Sequence, residues 1–175
     1  FPLAMAPAQP RPPAVRDTFK AYWCSQTIGL DRGLQSFIQA MARTRTRVTL
    51  DIRGGNRWGH GERLVELAGG LGIGDRVSLL PMAPPEEMVR LAASYDIGLS
   101  LETDVSENRR LCLTNKIFTY LLAGVPVLLS DTPAQRALAP ELGAAARLIS
   151  LADPEAMAAT LDDLASSPPA RAEAS

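Results

Sequence analysis

The chain has one histidine in 175 residues, His60, and two cysteines, Cys24 and Cys112. One histidine and two distant cysteines form no metal-type spacing, and His60 is expected in a loop or on the surface rather than in catalysis. The cysteines read as reduced, buried thiols of a cytosolic protein. No apolar run approaches the roughly 18 residues that a membrane span requires. The opening Phe1-Pro2-Leu3-Ala4-Met5 lacks the basic start and long apolar stretch of a signal peptide, and it lacks an initiator Met. The chain is therefore expected to begin partway through a longer protein. With a net charge of −1 there is no basic excess to mark a nucleic-acid footprint. A pI near 5.9 leaves room for a local basic pocket suited to a phosphate.

What is present is ordinary for a folded domain: 46% apolar residues and 21% charged. The length suits one domain with a real core. Residues 1–17 begin with five prolines in thirteen positions, which reads as an extended linker. Residues 167–175 read as a disordered tail, leaving 18–166 as the domain.

Within it the hydrophobic period switches repeatedly between strand and helix. Strands are expected at 19–24, 48–52, 77–80, 97–101, 125–129 and 146–149. Helices are expected at 30–41, 62–71, 85–94, 116–122, 134–142 and 154–165, the last capped by Asp153. This alternation predicts an α/β fold, a doubly wound Rossmann-like parallel sheet in three layers. Ligands of such sheets bind at the carboxyl ends of the strands, so the functional loops should follow Cys24, Ile52, Leu80 and Leu101.

Two segments there suit an anion. Ser25-Gln26-Thr27-Ile28-Gly29-Leu30-Asp31-Arg32-Gly33 follows a strand and opens a helix. Small hydroxyl residues and glycines let backbone N–H groups approach a phosphate, and Arg32 adds a charged fork. The alternative is an ordinary turn with a solvated arginine. In Leu113-Thr114-Asn115-Lys116, a lysine stands at a helix start, the end where cations are disfavoured. A phosphate between Lys116 and the helix terminus would resolve that conflict. The alternative is Asn115 as an N-cap with Lys116 in water.

Asn115-Lys116-Ile117-Phe118-Thr119-Tyr120-Leu121-Leu122-Ala123-Gly124-Val125-Pro126-Val127, with Leu128-Leu129-Ser130-Asp131 after it, resembles the C-terminal, donor-binding domain of GT-B-fold glycosyltransferases of the large retaining group. Asp31-Arg32-Gly33-Leu34, Leu50-Asp51-Ile52-Arg53-Gly54-Gly55, Leu71-Gly72-Ile73-Gly74-Asp75-Arg76-Val77 and Tyr95-Asp96-Ile97-Gly98-Leu99 resemble that family's motifs in order and spacing.

The resemblance implies one half of a GT-B fold that binds a nucleotide diphosphate sugar. An N-terminal domain of the parent chain would hold the acceptor, and this half alone would turn over nothing. The diphosphate and sugar would meet Ser25, Gln26, Thr27, Gly29, Arg32, Gly33, Leu113, Thr114, Asn115 and Lys116. Thr119 would face the ribose, and Gly54, Pro81 and Met82 the base. The resemblance implies no metal and no cofactor beyond the donor itself, and a cytoplasmic location. Any peripheral membrane association would come through the missing domain.

Two departures stand out. The family's pair of glutamates falls on Leu111 and Thr119, and its Gly-Arg after the first strand is replaced by Ser25, Gln26 and Thr27. Glu102, Asp104, Glu107, Arg109 and Arg110 read as a solvated charged loop. The alternatives are a non-catalytic Rossmann-like domain kept for binding or assembly, and a sugar-nucleotide epimerase.

Overall fold

The computed structural model describes residues 18–103, 106–107, 111 and 113–167. Six strands form one parallel sheet: β1 (Thr18–Thr27), β2 (Arg47–Gly55), β3 (Val77–Leu80), β4 (Ile97–Ser100), β5 (Val127–Ser130) and β6 (Ala146–Ile149). Their order is β3-β2-β1-β4-β5-β6, the doubly wound order. The helices whose bounds are described are α1 (Leu34–Met41), α2 (His60–Gly70), α3 (Met88–Ala92), α4 (Asn115–Leu122), α5 (Pro133–Leu142) and α6 (Pro154–Ser166).

Burial explains the strand sequences. All four residues of β4 and of β5 are buried, as expected where both faces of a parallel sheet are covered. β2 alternates, with Val48, Leu50 and Ile52 inward, because helices cover one of its faces. One core packs Ala21 and Trp23 of β1 with Leu34, Phe37 and Ile38 of α1, Leu64 of α2 and Leu161 of α6. The other packs Tyr22 and Cys24 with Tyr95, Ile117 and Tyr120, against α3, α4 and α5. Gly98 is dictated by this second core, since a Cβ there would stand 2.2 Å from the Tyr120 ring.

The expected elements are all present, the strands at Val77–Leu80 and Ala146–Ile149 with the expected bounds and the others with shifted ones. The helix expected from Leu30 starts at Leu34, because Gly33 takes a left-handed φ of 70° that ends the preceding turn. The helix expected over 85–94 splits into a 3-10 turn at Pro85–Glu87 and the short α3. The fifth strand begins at Val127 rather than Val125, since Pro126 has no N–H and its carbonyl accepts from the Gly98 N–H instead. The fourth helix begins one residue early, so Thr114 rather than Asn115 is its N-cap. Asp153 caps α6 as expected, accepting from the Ala156 N–H at 3.0 Å.

The larger correction concerns the first loop. Ser25, Gln26 and Thr27 are not loop residues; they continue β1, with Thr27 in register with Gly55 of β2. Glycines permit this extension. A Cβ on Gly54 would lie 2.8 Å from the Ser25 carbonyl, and one on Gly55 would lie 2.9 Å from that of Gln26. The two strand ends therefore press together more closely than side chains would allow.

Candidate functional site

The ladder between β1 and β4 has two pairs, Ala21–Ile97 and Tyr22–Gly98, after which the chains run to opposite sides of the sheet. This is the switch point, and the crevice beyond the carboxyl ends of these strands is where an α/β sheet binds its ligand. Four elements deliver side chains to it: the β1–α1 turn (Arg32), the end of β4 (Ser100, Glu102), the start of α4 (Thr114, Lys116) and the start of α5 (Gln135).

At its centre is a carboxylate. Glu102 has 2% of its side-chain surface exposed and lies between both expected phosphate ligands. Lys116 Nζ donates to its Oε1 at 2.9 Å, and Arg32 Nη1 stands 3.5 Å from its Oε2. Lys116 is itself 9% exposed, with its ammonium 5.1 Å from the centre of the Trp23 ring. Arg32 is more open, at 28%. The backbone of Glu102 is pinned by Ser130, whose Oγ accepts from the Glu102 N–H at 2.8 Å and whose hydroxyl donates to the Glu102 carbonyl at 2.7 Å.

The expectation of a solvated charged loop thus fails for Glu102. Buried charges require partners, and Arg32 and Lys116 are those partners. Lys116 does not point to water, and the anion near the α4 terminus is this carboxylate. Glu107 is exposed, whereas Asp104, Arg109, Arg110 and Cys112 lie outside the described residues.

Beside the ion cluster is a neutral network. The Ser100 and Thr114 hydroxyls stand 3.2 Å apart, and the amide of the fully buried Gln135 donates to Ser100 at 3.2 Å. Ser100, Gln135 and Trp23 were not among the expected site residues, and Ser130 stood only within a family-like segment. The available signal was the pair of serines, each ending an otherwise apolar strand. A polar residue closing a buried strand faces the ligand end of the sheet.

The structure thus brings Arg32, Thr114 and Lys116 together and leaves other expected residues apart. Asn115 and Leu113 are exposed beside them. The Thr119 hydroxyl donates to the Asn115 carbonyl one turn back, at 3.2 Å. Gly29 and Gly33 shape the turn that carries Arg32: a Cβ on Gly29 would lie 2.7 Å from Asp31 Oδ1, and one on Gly33 would meet Leu151 and Leu101. Gly54 sits against Ser25. The Pro81 carbonyl accepts from Arg53 Nη1 at 2.6 Å, and Met82 is 62% exposed at the end of β3.

His60 opens α2 and is partly buried, with Nδ1 3.2 Å from the Ile28 carbonyl. That contact requires the proton on Nδ1 and makes His60 a tie between strand ends. Cys24 is a buried free thiol, as expected. Burial pushes its pKa up against the opposing influence of the Tyr120 hydroxyl and Lys116. Burial also pushes Tyr22 up to about 12. A separate hollow of about 220 Å³ lies at the amino-terminal side of the sheet, lined by Lys20, Asp51, Asp75 and Arg76 among others. Its mixed charges and its position at the wrong strand ends set it apart from the crevice. Among the described residues, no helix is long and apolar enough to cross a membrane.

The family model described as "Glycosyl transferases group 1" matches residues 23–167. No curated protein matches the sequence. Among solved structures, the chain superposes on Anabaena HepE in complex with UDP and glucose with a TM-score of 0.72 and 19% identity, covering 87% of this chain and 40% of HepE. It superposes on the C-terminal domain of the group 1 family protein LpcC from Francisella tularensis with a TM-score of 0.63 and 16% identity, covering 84% of this chain and 75% of that one. For the catalytic domain of cholesterol-alpha-glucosyltransferase from Helicobacter pylori the TM-score is 0.60 at 15% identity, covering 83% and 85%. The chain thus spans well under half the length of HepE.

Proposed function

The chain belongs to the group 1 glycosyl transferases, and from that premise we propose that it is the donor-binding half of a two-domain enzyme, holding a nucleotide diphosphate sugar in the crevice between β1 and β4. The observation that carries this reading is the convergence of Arg32, Lys116, Ser100 and Thr114 at the switch point. The Anabaena protein that shares this fold is described in complex with UDP-glucose, which supports the choice of ligand class.

In the proposed reaction an acceptor hydroxyl oxygen bonds to the anomeric carbon and releases its proton to solvent, while the bond from that carbon to the diphosphate breaks and its electron pair leaves on the phosphate. Arg32, which is partly exposed, and Lys116 would stabilise that developing charge. An acceptor-binding domain of the parent protein would face the crevice. Retention of configuration, metal independence and a cytoplasmic location belong to the same proposal.

A titration followed by nuclear magnetic resonance tests it. UDP, GDP or ADP should shift amide signals around Arg32, Ser100, Thr114 and Lys116. Shifts confined to the hollow at Lys20 and Asp75, or no shifts with any of the three, would refute the placement.

One observation favours a second reading, a binding domain without catalysis. The family's glutamate pair is replaced by Leu111, which is exposed, and by Thr119, whose hydroxyl is committed to its own helix. Transfer by the parent protein that survives loss of both Arg32 and Lys116 would favour it.

A further inference from the structure

Glu102 occupies an unusual position for an acid. It is more deeply buried than either cation it binds, and it lies at the floor of the crevice rather than on its rim. A carboxylate here subtracts charge: Arg32, Lys116 and Glu102 together carry one net positive charge where the two cations alone would carry two, and the half-exposed Asp31, 3.8 Å from Arg32 Nε, offsets that further. An anion bound to the same nitrogens would lie roughly 5–6 Å from the Glu102 oxygens, a range at which charges in a partly buried site still interact strongly.

We infer that Glu102 is a specificity-determining residue that limits the negative charge the crevice accepts and so tilts binding from the bare nucleoside diphosphate toward its sugar ester. This rests on the donor-binding reading given above. The ester carries two ionised phosphate oxygens. The diphosphate released by transfer has a terminal phosphate whose last proton leaves at a pKa of about 6, so by pH 8 it carries about three charges. Product and donor therefore differ by one negative charge, and a fixed carboxylate beneath the binding cations repels the product more. Release of the product is eased without loss of the cations that stabilise it as it forms.

The readout is a ratio, which a general loss of structure would leave in place. Dissociation constants for UDP and UDP-glucose, GDP and GDP-glucose, and ADP and ADP-glucose are measured by calorimetry at pH 8 with the full chain and its variants. Glu102→Gln, which keeps the shape and removes the charge, should tighten the bare diphosphate relative to its ester by about tenfold, equivalent to about 1.4 kcal/mol. Glu102→Asp keeps the charge and should hold the wild-type ratio. The double variant E102Q/K116M restores the wild-type net charge of the cluster with no buried ion left unpaired. It should bind both ligands less tightly at the wild-type ratio, and it keeps the inference testable if the single variant does not fold.

An E102Q protein that loses both ligands equally would make Glu102 a structural brace and overturn the inference while the donor site stands. A tenfold shift of the ratio in the double variant would overturn it as well. Failure of all three pairs to bind the wild-type chain would overturn the donor site itself, and the inference with it.

Discussion

Lys116 Nζ lies 2.9 Å from Glu102 Oε1, a buried ion pair fourteen residues apart in sequence. It joins the end of β4 to the start of α4. Desolvation makes such a pair a poor source of net stability, but removing one partner strands the other charge. Lys116→Met should therefore destabilise the protein by about 3 kcal/mol, the low end of the range for a broken buried pair, because Arg32 still faces Glu102. The double variant E102Q/K116M should recover much of the loss. Urea unfolding of the wild type, both single variants and the double variant measures the coupling; simple additivity would show that the pair is not coupled.

The tight contact of Gly98 with Tyr120 gives a second expectation. Gly98→Ala would force the buried Tyr120 ring away from the β4 backbone, where its hydroxyl also donates to the Leu99 carbonyl at 3.3 Å. The expected cost is about 3 kcal/mol or more, as for overpacking in a filled core. Gly124→Ala meets open space and suffers only from its φ of 67°, so it should cost about 1 kcal/mol. A comparison of melting temperatures checks the order, and equal losses would contradict the packing argument.

Asp162 carries a pH dependence. Burial opposes its ionisation, but the backbone N–H groups of Thr46, at 2.9 Å, and Arg45, at 3.1 Å, outweigh that and hold its carboxyl below the usual range. A group with a depressed folded pKa stabilises the protein fully above its unfolded value, about 3.9, and loses that contribution as the pH falls toward the folded value. Asp162→Asn should cost about 1–3 kcal/mol at pH 7 and much less near pH 3, since the carboxylate's accepted hydrogen bonds are what is lost. Denaturation curves at both pH values check it; a penalty that grows on acidification would contradict it.

Much of this was legible in the sequence because local signals agreed with the fold. The alternating periods gave six strands and six helices in order, and Arg32 and Lys116 stood out by their places at element ends. Glu102 was not legible. In sequence it opens a stretch rich in charge, Glu102 to Arg110, and such stretches are ordinarily solvated. Its burial depends on Lys116 and Arg32 arriving from other segments, and on Ser130 bonding its backbone. Ser25, Gln26 and Thr27 misled for the opposite reason. Their types suit a loop, but Gly54 and Gly55 let the neighbouring strand approach and prolong the pairing.

In the proposed donor site the crevice holds a nucleotide diphosphate sugar through Arg32. Calorimetry with UDP-, GDP- and ADP-glucose on the full chain and on Arg32→Ala tests it most directly. One donor should bind the wild type and bind the variant about ten- to hundredfold more weakly, the loss of one charge-assisted contact of about 1.5–3 kcal/mol. Equal affinity of the two proteins for that donor, or no binding of any of the three to the wild type, would contradict the account.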